Sequence, residues 1–183
     1  MGFESSKGGA LMAAIEQIFE YAYPGGNQTI DVLISNIPQT YRNLEVIWTG
    51  TGSSSSMSRI DLTLNSNASG VYTSTKQMSN QPMSGVLQNL TFVSQTNGNG
   101  TIQADTNGAN VKLMIYDYAN TTSFTQISSL NNTERSQGAF MQRVGTTYKN
   151  TAAITSLLFT HSGSAIRGDA HIWLNGWNEF DNA

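Results

Sequence analysis

Two histidines, His161 and His171, are the only imidazoles in this 183-residue chain, and it has no cysteine. Neither histidine has a second at the His-x-His or His-x-x-x-His spacing that would turn two imidazoles toward one metal ion. Without thiolates, no cysteine-based zinc site, disulfide or cysteine nucleophile can form. His171, beside Ile172 and Trp173 in an apolar run, reads as a sheet histidine, either satisfied in place or facing outward. Asp105-Thr-Asn-Gly108 opens like a calcium loop but lacks the later carboxylates and the distal glutamate, so a β-turn is expected. Sugar hydrolysis needs two carboxyl groups facing each other across a groove. Asp31, Asp61, Asp105, Asp117 and Asp169 are scattered, and no short motif joins two of them. No Gly-x-Ser-x-Gly elbow presents a serine. These patterns predict a non-enzymatic protein with no metal and no cofactor.

Binding is the alternative chemistry, and aromatic rings are the groups to examine. Trp48, Trp173, Trp177, Tyr116 and Tyr118 could each stack on the apolar face of a sugar. Trp48, Tyr116 and Trp173 fall inside alternating apolar runs and are expected in the core. Trp177 and Phe180 follow the last such run and are expected at a contact surface, with subunit packing as good an occupant as a ligand.

The elements that must position these residues are strands. Only 11% of residues are charged, less than half the roughly 25% usual in soluble proteins, and Ser, Thr, Asn and Gln fill the gap. Short polar side chains hydrogen-bond neighbouring backbone in extended and turn conformations, which disfavours helices. At 38% apolar content the chain can build one sizeable core. Val32 and Ile34, Leu44 to Trp48, Ile60 to Leu64, Val71 to Thr75, Val86 to Val93, Ile102 to Ala104 and Val111 to Tyr118 read as short strands separated by turns and a flexible loop at Ser53 to Ser58. Pro24-Gly-Gly-Asn27 is expected to close a first hairpin. Asn120 to Gly145, rich in Ser, Thr and Asn around isolated apolar residues, is expected to be a long surface excursion. Tyr148 to Trp177, two apolar runs flanking His161 to Gly168, reads as a terminal hairpin.

Gly8 to Tyr23 is ambiguous. Leu11, Ile15, Ile18, Phe19 and Ala22 share one helical face, yet Phe19, Tyr21 and Tyr23 also alternate as a strand would. Strand is expected from about Gln17, leaving residues 1–16 as an N-terminal arm ahead of one β-sandwich domain, 17–183. In the arm, Phe3 and Leu11 are the candidates for gripping a neighbouring subunit.

A net charge of −3 and nine dispersed basic residues argue against a nucleic-acid groove. No stretch approaches the roughly 20 apolar residues of a membrane helix, and no signal-peptide pattern opens the chain.

Four segments, in order, resemble one family. Ile37-Pro-Gln-Thr-Tyr-Arg-Asn-Leu44, Leu64-Asn-Ser-Asn-Ala-Ser-Gly-Val-Tyr72, Ile115-Tyr-Asp-Tyr-Ala-Asn-Thr121, and Ala152 to Ser156 followed by Gly168 to Gly176 look like the "nIPqtY", "fNgdtgsnY", "I-x-x-Y-an-t" and "aaIts … LYG" pieces of bacteriophage virion proteins. That resemblance implies a jelly-roll-like β-sandwich of about eight or more antiparallel strands, assembled in the bacterial cytoplasm onto a phage particle. It implies a capsid decoration or cement protein bound to the major capsid protein and to its own copies, as a trimer by analogy. The alternative is a tail-fibre or receptor-binding module for host glycans; the absence of a coiled-coil or collagen-like shaft favours decoration. Asn175 stands where the family has an aromatic residue, and Asn178 to Ala183 is an added tail with the character of an interface segment.

Overall fold

The computed structural model describes residues 15–52, 58–67, 71–79, 88–93, 98–104, 108–135, 138–163 and 165–178. Among them every regular element is a strand. These are β1 (Ile15–Ala22), β2 (Asn27–Gln28), β3 (Val32–Ile34), β4 (Asn43–Gly50), β5 (Ser58–Leu64), β6 (Tyr72–Ser79), β7 (Gln88–Val93), β8 (Gly98–Ala104), β9 (Ala109–Tyr116), β10 (Thr125–Arg135), β11 (Gly138–Tyr148), β12 (Leu157–Gly163), β13 (Ile166–Arg167) and β14 (His171–Trp177).

The strands form a β-sandwich, all pairs antiparallel. The larger sheet has eight strands in the order β1-β14-β4-β9-β10-β11-β6-β7, and the smaller has four, β3-β12-β5-β8. Alternation decides which side chains enter the space between them. From the large sheet come Leu44, Val46 and Trp48, then Val111, Leu113 and Ile115, then Ile127, Tyr148, Tyr72, Ile172 and Leu174. The small sheet answers with Val32, Ile34, Ile60, Leu62, Leu64, Leu157 and Phe159. Trp48 is fully buried, as its place in an alternating run predicts.

Three expectations change. The stretch from Asn120 to Gly145 is not a surface excursion: β10 and β11 are strands of 11 residues each, paired from Thr125↔Tyr148 to Arg135↔Gly138 near the middle of the large sheet. Its inward positions are Thr125, Ile127, Asn131 and Thr133, so polar β-branched residues and an asparagine replace the aliphatic signal that marks other strands. The two terminal apolar runs do not pair with each other. β12 lies in the small sheet between β3 and β5, whereas β14 lies in the large one between β1 and β4. Nor does the Pro24 turn close a hairpin, because β1 pairs with β14 and β3 with β12.

The last two corrections share one cause. Ile15 to Ile34 pairs antiparallel with Leu157 to Trp177 at three successive places, β1·β14, the short β2·β13 corner and β3·β12. This paired ribbon bends from one sheet to the other, so each apolar run finds its partner at the opposite end of the sequence. Over Ile15 to Ala22 the helical reading falls for the same reason: the backbone is hydrogen-bonded to β14 as a strand, with a bulge between Gln17 and Phe19; Gly8 to Ala14 lie outside the described residues.

Candidate functional site

Parts of the four motif segments, around Ile37–Gln39, Leu64–Asn67, Tyr118 and Ala153–Ser156, meet at one end of the sandwich, and their polar groups are spent on one another. The Asn65 Oδ1 accepts from the amides of Thr155 at 2.8 Å and Ser156 at 3.3 Å, while its Nδ2 donates to the Ala153 carbonyl at 2.9 Å. The Ile37 amide donates to Thr155, and Gln39 Nε2 donates to the carbonyls of Ile37 and Ile154. The Ile154 amide donates to the Tyr118 carbonyl, and the Tyr118 hydroxyl donates to the Pro38 carbonyl. The Tyr72 hydroxyl accepts from the Leu64 amide and donates to the Asn67 carbonyl, both at 2.9 Å. Of the four described non-glycine residues with positive φ, Asn65, Ser66 and Asp117 sit in these segments and Asn36 immediately precedes one, where Asn, Asp and Ser support the left-handed turn locally. This corner is a keystone of the fold. Its side chains are turned inward to backbone and offer little to a ligand.

The carboxylates are similarly engaged. Asp31 accepts from the His161 amide, Asp117 pairs with Arg42, and Asp169 accepts from Thr51. Among the described residues no group of three or more His, Asp or Glu side chains could hold a metal ion. Asp105 to Asn107 lie outside the described residues, as do Ser53 to Met57. Gly108 itself has φ +104°.

That leaves the outer face of the large sheet. Reading one rung across the strands, the outward side chains are Glu20, Trp173, Ile47, Lys112, Leu130 and Arg143; the next rung has Gln17, Asn175, Glu45, Met114, Ser128 and Gly145. Tyr116 and Trp173, expected in the core, lie on this face, because the inward positions of their strands are Ile115, Ile172 and Leu174. His171 is the outward neighbour of Trp173, and their rings stack at 5.1 Å between centroids and 7° between planes. The His171 Nδ1 makes no hydrogen bond and lies 3.9 Å from Glu20.

Glu45 is buried on this face under its neighbours, ion-paired with Lys112 and accepting from Asn175 Nδ2 at 3.1 Å. Beside the pair, three strands enclose a shallow dish of about 450 Å³ lined by Lys112, Met114, Ser128, Leu130, Arg143 and Gly145. Arg143 is exposed and makes no hydrogen bond or ion pair among the described residues.

Of the residues singled out in the sequence, Trp177 is partly exposed at the end of β14, paired with Asn43, on the outer face but away from the dish. Phe3, Leu11 and Phe180 lie outside the described residues. The dish residues carry no motif; the one signal is Gly145 isolated among the β-prone residues Val144, Thr146, Thr147 and Tyr148.

No protein family, no characterised protein and no solved structure matches the chain. Function is therefore read from the geometry and from the resemblance of the motif segments.

Proposed function

We propose that this is a non-enzymatic bacteriophage virion structural protein, a capsid decoration or cement protein that seats on the outer shell and stabilises the head. Its partners are the major capsid protein and further copies of itself, with threefold symmetry by analogy to other virion β-domains. The observation that carries the reading is the outer face of the large sheet. Trp, Met and Arg beside aliphatic residues, with an ion pair among them whose carboxylate is buried and whose ammonium is exposed, is the composition of a surface that packs against another protein. The ordered motif segments support a virion origin, and their inward-turned side chains explain why they identify a fold rather than a binding site.

A second reading is a tail-fibre or receptor-binding module for host glycans. The flat His171–Trp173 stack favours it, since a plate of that kind accepts the apolar face of a sugar ring. Mixing purified protein with particles that lack it, and locating the added density by cryo-electron microscopy, separates the two. Density over the shell with heads more resistant to heat supports decoration. Density confined to the tail overturns it in favour of host recognition.

A further inference from the structure

Gly145 is a strand glycine without an internal reason. A β-carbon on Gly50 would collide with Ala170, one on Gly168 with Pro24 and Gly25, and one on Gly176 with Tyr41. On Gly145 it would meet nothing within 4 Å, and its φ is not in the left-handed region. Yet Gly145 occupies an outward position within an 11-residue strand, directly between Ser128 of β10 and Thr75 of β6. A glycine there weakens the strand without relieving any clash in the folded chain. What it does create is the floor of the dish, where another molecule can approach the backbone.

The rim of that dish is cationic on a chain whose net charge is −3. Arg143 and Lys112 flank Leu130 on its two neighbouring strands, and Met114 completes the apolar wall. Lys112 is taken by Glu45, which leaves the planar Arg143 guanidinium uncommitted. A guanidinium set beside aliphatic side chains and an open backbone suits a carboxylate carried next to an apolar side chain. With Leu and Met in place of aromatic walls, the dish favours a protein segment over a sugar ring.

The geometry points to a docking socket, floored by Gly145 and gated by Arg143, that receives an acidic loop with an apolar tip from the shell protein. This inference rests on the decoration reading above. Its test is binding of the full chain to heads lacking it, comparing wild type with Gly145→Val and Arg143→Glu. Valine has room at 145 and suits a strand, so that variant should melt no lower than wild type while losing at least tenfold in affinity; Arg143→Glu should lose as much. Wild-type affinity should fall with added salt, and Arg143→Glu should show less of that dependence. If both variants bind heads like wild type, the socket is overturned and the decoration reading stands. If wild type binds no heads, both fall together. If the variants decorate heads normally but lose binding to an array of acidic sugars, the occupant is a glycan and the protein socket is overturned.

Discussion

Gly176 lies against the ring of Tyr41 so closely that a β-carbon on it would overlap ring atoms Cγ, Cδ1 and Cδ2. The contact joins β14 to the segment leading into β4, and the Tyr41 hydroxyl goes on to Glu16 of β1. Gly176→Ala should therefore displace the ring and destabilise by about 1–3 kcal/mol, the usual range for forcing a methyl into a packed site. Urea denaturation should show a lower midpoint with an unchanged slope; an unshifted midpoint would show that the ring yields freely.

Asn65 makes both donor and acceptor bonds to the Ala153–Ser156 segment from a backbone at φ 51°. Asn65→Ala removes these bonds, leaves the amides and carbonyl without partners, and keeps the strained φ. The expected loss is about 2–4 kcal/mol. Hydrogen exchange should quicken first at the amides of Thr155 and Ser156. Uniform quickening across both sheets would mean that Asn65 is no local clamp.

Burial pushes the Tyr72 hydroxyl up to about 12 and also raises Tyr23 and Tyr118. A folded value above the unfolded one near 10 favours the neutral form, so this stability is fully present below pH 10 and is lost as pH rises toward 12. For Tyr72 the loss amounts to roughly 2 kcal/mol. Melting temperature should hold between pH 8 and 9.5 and fall steeply above 10, and Tyr72→Phe should show a shallower fall. A profile flat to pH 12 would contradict the assignment.

Glu45 is buried with Lys112 and Asn175 as its partners. Because the Lys112 ammonium is exposed, Lys112→Met should cost only about 1–2 kcal/mol, and Lys112→Met combined with Glu45→Gln should recover much of that. A double-mutant cycle with no coupling would show that solvent, rather than Lys112, supports the charge.

Where inward positions are aliphatic or aromatic, as at Leu44 to Trp48 and Val111 to Ile115, strands are legible in the sequence because burial imposes a two-residue period. β10 escapes notice because its inward residues include Thr125, Asn131 and Thr133, whose polarity hides the same period. Pairing is less legible still. Nothing local in Leu157 to Phe159 or His171 to Trp177 states that they join different sheets, since partner choice is settled by strands near the start of the chain. The dish is harder again to see: its defining feature is a missing side chain at Gly145, and only the register across β9, β10 and β11 sets that gap beside Ser128, one rung from Lys112 and Arg143.

The bent ribbon joining Ile15–Ile34 to Leu157–Trp177 has a consequence for the order of events in synthesis. β1 and β3 leave the ribosome well before their partners β14 and β12, so closing the sandwich carries the entropy of a long loop. Closure is thereby deferred until Leu157 to Trp177 have been made, and a product cut before Leu157 lacks the strands that β1 and β3 pair with among the described residues. A nascent chain waiting with open strand edges is exposed to association with its neighbours. Strands built from threonine, serine and asparagine, less adhesive than aliphatic ones, suit a sandwich that must remain unclosed until β12 and β14 arrive.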